Sequence, residues 1–341
     1  MPKLLFLCHR ILINSTDFDK IIMKKVLITL PLSEKRLTAI NQHIPADCLS
    51  GEKDLYEEVA ERIPNYEALL FLGPMKPGID APLLAKANKL KIISNYGVGY
   101  DRIDADAAKA NQVIVANTPH SVTAPTADLA LGLMLSICRR IGVSDRAIRQ
   151  KTTTNWYNSQ LPSTTLKGKK LGIVGMGRIG KAVAERAKVF GIEIFYFQRN
   201  QLAKAVEEKY QATYLPLHDL LKTVDILSPH IPLTPSTRHL FGAKELALLK
   251  PTAFIINTAR GGVFDESALI EILQNGKIAG AGLDVFANEP TVPDAFLAMD
   301  NVLLTPHIGT ACGEARADMF EEAIGNLIAY FNGQKITNRV I

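Results

Sequence analysis

Three segments of this 341-residue chain end an apolar run on a side chain that can do chemistry. In AFIINTARGG, Arg260 follows the run directly; in AGLDVFANEP, Glu289 lies a few residues past it; in VLLTPHIGT, His307 does. Each run reads as a strand, and open α/β sheets bind ligands beyond the carboxyl ends of their strands. An arginine in that place can hold a carboxylate or polarise a keto oxygen through its planar fork. Histidine, whose ordinary value is about 6.5, can hand over the proton that accompanies hydride arrival. A glutamate behind the ring fixes it and favours its protonated form. Together they are what reduction of a 2-keto acid demands. Singly, each has a plainer reading: Arg260 as a strand cap, Glu289 before a proline on a solvated turn, His307 as a satisfied core histidine.

A cofactor for that chemistry is announced by Gly175-Met176-Gly177-Arg178-Ile179-Gly180, which follows the strand-like LGIV and opens the helical KAVAERAKVF. Gly175 permits a tight turn, Gly177 lets backbone approach a pyrophosphate, and Gly180 lets helix and strand pack closely. The helix start adds unpaired N–H groups and a partial positive charge. An acid about 20 residues further on would bond the adenosine ribose of NAD. Here the strand closes as FYFQRN, with Gln198 and Arg199 standing 18 and 19 residues after Gly180. Arg199 can pair with a 2′-phosphate through charge-assisted hydrogen bonds and Asn200 can add a donor, so NADPH is expected over NADH, with NADH possible; a solvated Arg199 is the plainer reading. His230, in DILSPHIPLT, stands at a strand end and is placed to line the cofactor cleft. The remaining histidines, His9, His43, His120, His218 and His239, have weaker settings.

From residue 24 onward, short apolar runs alternate with helical patterns, which predicts parallel strands joined by crossover helices. VLITL (26–30), ALLFLG (68–73), LKIIS (90–94) and VIVAN (113–117) form one α/β unit, with a helix over 81–88 among its connections. The pattern changes at Pro119. TADLALGLMLSICRRI (126–141) is apolar nearly all round, so that helix is expected in the body or against a second subunit. LGIV and five further runs, 192–197, 225–228, 253–257, 280–285 and 302–305, give six strands, the number of a dinucleotide-binding sheet. A last helix, 314–331, is expected back on the first unit. The expected fold is α/β with two Rossmann-like domains of doubly wound parallel sheet and the active site in the cleft between them. Residues 23–120 plus 311–341 would be the substrate-binding domain and 121–310 the dinucleotide-binding domain. Residues 1–22 read as an extension outside the fold.

Composition narrows the partners. With 47% hydrophobic and 21% charged residues the chain is of the globular class. Its formal charge of +5 is scattered, with no basic block for nucleic acid. Cys8, Cys48, Cys138 and Cys312 lie far apart without metal-ligand spacing, so no metal site and reduced, cytoplasmic thiols are expected. The apolar run 4–8 is too short for a secretion signal, and no run nears the roughly 20 residues of a membrane span.

GVGYDRID, GIVGMGRIG, HIPLT, INTARGG, AGLDVFANEP and TPHIGT, in this order, resemble the D-isomer-specific 2-hydroxyacid dehydrogenase family, in its glyoxylate/hydroxypyruvate and 2-ketogluconate reductase branch. The resemblance runs over about residues 26–338. It implies that Arg260 orients the substrate carboxylate and carbonyl, that His307 is the general acid/base, and that Glu289 supports it. The amides of Val98 and Gly99 would help hold the carboxylate. Arg178 and Ile179 would meet the pyrophosphate, and Thr258, Ala259 and Asp284 the nicotinamide side, joined by Thr126. His230, Ile231 and Pro232 in HIPLT, and His307, Gly309 and Thr310 in TPHIGT, would complete the cofactor contacts. A homodimer is expected on the same analogy. A 3-phosphoglycerate dehydrogenase and a nucleotide-sensing corepressor keeping this fold are the alternative readings.

Overall fold

The computed structural model describes residues 26–42, 44–73, 75–152 and 163–341. The extension 1–22 with His9, and His43, lie outside the described residues. The chain divides into two compact units, one ending at Val122 and resuming as Cys312–Ile341, the other being Thr123–Ala311.

The first unit alternates β1 (Val26–Ile28), α1 (Glu34–Asn41), β2 (Ala46–Cys48), α2 (Leu55–Arg62), β3 (Ala68–Phe71), α3 (Ala81–Lys86), β4 (Ile92–Asn95), α4 (Ala105–Ala110) and β5 (Ile114–Ala116). Its strands form a parallel sheet in the order β2-β1-β3-β4-β5. Parallel strands between helices are covered on both faces and read as continuous apolar runs; all four residues of β3 and all four of β4 are buried. Aspartates begin the helices: Asp54, Asp80 and Asp104 each accept a backbone N–H of the first turn of α2, α3 and α4, satisfying donors that have no partner within the helix.

The second unit begins with α5 (Thr123–Cys138) and α6 (Ile141–Arg149), then runs β6 (Lys170–Val174), α7 (Arg178–Val189), β7 (Glu193–Phe197), α8 (Lys204–Tyr210), β8 (Ala212–Tyr214), α9 (Leu217–Thr223), β9 (Ile226–Pro229) and α10 (Ala243–Leu246). It continues through β10 (Phe254–Asn257), α11 (Glu266–Gln274), β11 (Gly280–Leu283), α12 (Asp294–Leu297) and β12 (Val302–Leu304). The parallel sheet has the order β12-β11-β10-β9-β6-β7-β8. From β6 the chain builds outward to β8 and then restarts at β9 on the other side. The carboxyl ends of β6 and β9 therefore flank the switch point at which such sheets take ligands.

Helix α5 is buried in its own unit: Ala127, Ala130, Leu131, Met134 and Ile137 share a core with Leu171, Ile173, Val183 and Tyr196. Most of its apolar surface is thus buried inside its own unit, with Leu129 and Leu135 partly buried, and each large buried side chain contributes about 1.5–3 kcal/mol. The last helix, α13 (Gly313–Phe331), returns to the first unit, where Ala323, Ile324 and Leu327 join Val26, Ile28, Leu70 and Ile92.

Strands β2 and β8 were not expected. ADC and ATY are three-residue segments at sheet edges, half-exposed, with no apolar run to announce them. Among the described residues the dinucleotide sheet accordingly has seven strands rather than six. Among the described residues no helix is long and apolar enough to cross a membrane.

Candidate active site

The glycine turn follows β6 and starts α7. Gly175 has φ +97°, and a Cβ there would lie 2.6 Å from the His230 carbonyl oxygen and from Ile231 Cγ2. That contact brings the end of β9 against the turn and excludes any side chain at 175. At Gly180 a Cβ would strike the Gly175 carbonyl. Gly177 differs: no atom comes within 4 Å of its Cβ position, and it caps α7 without a side-chain hydrogen bond. The turn is closed where strand and helix pack and open where the first N–H groups of α7, on Arg178 and Ile179, face outward.

Beyond β10 the buried amide of Asn257 shapes the next turn, accepting from the Ala259 N–H at 3.0 Å and donating to the Arg260 carbonyl at 3.0 Å. Arg260 is thereby held on a turn tied at both ends to one side chain. Thr258, between them, has a buried hydroxyl with no hydrogen-bond partner among the described residues. An unpaired buried hydroxyl costs about 1–3 kcal/mol and is satisfied by a polar ligand atom. An open, uncapped helix start after β6 and an orphaned hydroxyl after β10, at the carboxyl ends of strands that flank β9, fit a dinucleotide.

Glu289 and His307 are brought together. His307 Nδ1 and Glu289 Oε2 are 2.9 Å apart, and the other carboxylate oxygen accepts the Phe286 N–H at 3.2 Å. Burial opposes the Glu289 charge, but the bonds from His307 and Phe286 and the nearby positive charge of Arg260 outweigh it and hold the carboxyl below its ordinary value. With the carboxylate bonded at Nδ1, Nε2 is the ring nitrogen outside that pair. His307 stands in the left-handed region at φ +52°, which costs a non-glycine residue about 1–3 kcal/mol.

What holds it there is Asp284. This buried carboxylate at the end of β11 accepts the Thr305 hydroxyl at 2.6 Å, the Ile308 N–H at 2.8 Å and the Gly309 N–H at 2.9 Å. The Asp284 carbonyl accepts the His307 N–H at 2.8 Å. Burial raises its carboxyl above the ordinary value, against these hydrogen bonds and the charge of His307. Gly309 also lies beside the buried Thr126: a Cβ there would be 3.6 Å from Thr126 Oγ1. Thr126, Asp284, His307 and Gly309 are thus one cluster, in which Asp284 secures the turn carrying the histidine. The hydrogen-bonding capacity of a buried carboxylate past a strand, together with Asn257 in INTARGG, was the available signal for both tethers.

The other expected cofactor residues are placed as follows. His230 bonds Ser228 Oγ through Nε2 at 2.9 Å, and burial pushes its imidazole down to about 4, so it is neutral at pH 7. Pro232 offers its carbonyl to Thr237 Oγ1 at 2.6 Å, and Thr310 is partly buried three residues past His307. At the end of β7, Gln198 turns its amide onto the Asn200 carbonyl at 2.6 Å. Arg199 beside it is exposed and has no ion-pair partner among the described residues. Val98 and Gly99 belong to the first unit, in the loop after β4. Their carbonyl oxygens are taken by the buried amides of Asn117, at 2.8 Å, and Asn95, at 3.0 Å, while their N–H groups enter no bond found among the described residues. No cluster of three or more His, Cys, Asp or Glu able to hold a metal occurs among the described residues.

Residues 131–309 match the model of the D-isomer specific 2-hydroxyacid dehydrogenase NAD-binding domain. Over 321 residues the chain is 43% identical to a glyoxylate reductase of Thermococcus litoralis, covering 93% of this chain and 96% of that protein. The crystal structure of a glyoxylate reductase from Paecilomyes thermophila is similar at a TM-score of 0.84 and 32% identity, covering 93% of this chain and 98% of that one. An NADPH-dependent glyoxylate/hydroxypyruvate reductase from Sinorhizobium meliloti, in complex with NADP and malonate, is similar at 0.83 and 33% identity, covering 93% and 97%.

Proposed function

Since the chain belongs to the D-isomer-specific 2-hydroxyacid dehydrogenases and is an NAD(P)-dependent oxidoreductase that reduces 2-keto acids, we propose that it is an NADPH-preferring reductase of small 2-keto acids, glyoxylate, hydroxypyruvate or 2-ketogluconate. The observation that carries the cofactor preference is Arg199 at the end of β7, exposed and with no ion-pair partner among the described residues, where an NAD enzyme would place an acid. An acid there repels a 2′-phosphate; an arginine pairs with it through up to two hydrogen bonds. The Sinorhizobium meliloti relative, NADPH-dependent by its description, supports the same reading.

The nicotinamide, when bound, supplies a hydride to the keto carbon. Thr258, whose hydroxyl has no partner among the described residues, Thr126 and Ala259 would line its side, and the Arg178 and Ile179 amides would hold the pyrophosphate. Arg260 clamps the substrate carboxylate and draws on the carbonyl. His307 gives its Nε2 proton to the carbonyl oxygen while Nδ1 stays bonded to Glu289, so the carboxylate steadies the ring before and after transfer. The enzyme acts as a homodimer.

Steady-state assays decide between readings. kcat/KM for glyoxylate, hydroxypyruvate and 2-ketogluconate is expected to be higher with NADPH than with NADH. Equal or better efficiency with NADH would overturn the cofactor preference. Oxidation of 3-phosphoglycerate exceeding reduction of all three keto acids would make the chain a phosphoglycerate dehydrogenase instead.

A further inference from the structure

The turn that carries Arg199 is short of backbone hydrogen bonds of its own. Strand β7 leaves the sheet after Phe197, and α8 starts at Lys204 with Ala203 as its cap and no side-chain cap bond. Between them the chain is tied down by side chains. The hydroxyl of Tyr196, fully buried, accepts the Leu202 N–H at 2.9 Å and donates to Glu207 Oε1 at 2.6 Å. The same Glu207 oxygen accepts the Gln201 amide at 2.9 Å, and Gln198 closes onto Asn200. Tyr196 is anchored in the core, where its ring meets Tyr214 edge-on at 5.5 Å. A phenylalanine would fill that position as well, so packing alone does not call for the hydroxyl.

Resting on the reading of Arg199 as the 2′-phosphate ligand, we propose that Tyr196 and Glu207 are positioning residues for cofactor discrimination: their hydrogen bonds pre-form the 198–202 turn and so present Arg199 to a phosphate on the adenosine ribose. The physical ground is ordering. An arginine on a slack turn must lose the freedom of both side chain and backbone when it takes up a phosphate, and a pre-formed turn has already lost the backbone part. Neither residue needs to touch the nucleotide. A ligand without the 2′-phosphate makes no use of Arg199 and should be indifferent to the state of the turn.

Calorimetric titration of the cofactor-free protein with adenosine 2′,5′-bisphosphate, with AMP, and with NADPH and NADH tests this directly. Tyr196→Phe and Glu207→Ala are each expected to weaken the bisphosphate and NADPH about five- to tenfold, the size of one lost hydrogen bond. AMP and NADH should change less than twofold. Glu207→Gln, which keeps an acceptor for Tyr196, should restore most of the loss. Arg199→Ala serves as the reference. If Arg199→Ala leaves bisphosphate affinity unchanged, the reading of Arg199 itself fails. If Arg199→Ala weakens it but Tyr196→Phe and Glu207→Ala do not, or if they weaken AMP and NADH equally, the positioning role is overturned. Glu207 lies on the partly exposed face of α8, so its variants report even if Tyr196→Phe fails to fold.

Discussion

A histidine in the left-handed region, bonded at Nδ1 to a carboxylate and secured through its turn by a second one, is a side chain whose direction has been set from several sides. Glu289 sets the ring and Asp284 sets the backbone. Arg260 stands on a turn that Asn257 closes at both ends. Rigid placement of this kind is what lets a donor and a clamp act on one bound molecule. His307→Ala and Arg260→Ala are each expected to lower kcat/KM for the keto acid by about a hundred- to ten-thousandfold, the range for loss of a proton donor or an oriented substrate. Steady-state kinetics with circular dichroism as a folding control measures it, and near-normal turnover in either variant would remove the assigned role.

The elements that carry these residues are strand ends, and their register depends on a few polar ties where the strands begin. Asp225, just before β9, accepts the Lys170 N–H of β6 at 2.9 Å and pairs with Lys250 at 2.9 Å, while its carbonyl accepts the Phe254 N–H of β10 at 2.9 Å. One residue thus joins three adjacent parallel strands at the end opposite the site. Burial works against its charge, but the bonds from Lys250 and Lys170 win and hold the carboxyl below its ordinary value. A carboxyl lowered by folding stabilises the native state above its unfolded value of about 3.9, and that stabilisation is lost as pH falls through the lower native value. Asp225→Asn is therefore expected to cost about 1–3 kcal/mol at pH 7 and markedly less at pH 3. Urea unfolding at the two pH values checks this; a gap of the same size at both would mean the carboxylate charge contributes nothing.

At the scale of the whole molecule, two units of parallel sheet are each sealed by helices, and the chain passes between them at Val122 and Ala311. Most of the apolar length of α5 packs inside its own unit. Helix α6 buries none of its residues and leaves Ile141 and Ile148 each 52% accessible, alongside the more exposed single side chains Val189 and Leu297 elsewhere in the unit. Exposed isoleucines on one short helix are the kind of surface that subunits cover. Light scattering at micromolar concentration is expected to give a mass near twice the 37.3 kDa of one chain, and Ile148→Glu should shift the population toward the monomer. A monomeric wild type would exclude the dimer.

The sequence alone settled the fold class and the family, because both rest on local signals: apolar runs of strand length, helical periodicity between them, and the glycine turn between LGIV and KAVAERAKVF. Spacing also singled out Gln198-Arg199-Asn200, since a count of residues along one strand-helix-strand unit is a count of distance. It was blind to β2 and β8, whose three residues borrow their conformation from the neighbouring strand. Which residues serve others was decided only in three dimensions. The resemblance gives Asp284 only as a residue of the nicotinamide side, and its three bonds into 305–309 exist because β11 and β12 lie side by side in register. Asn257 and Tyr196 are the same case. A hydrogen bond across a turn or between adjacent strands depends on where the sheet delivers its two partners, and the order of strands in a sheet is not written in any one segment of the chain.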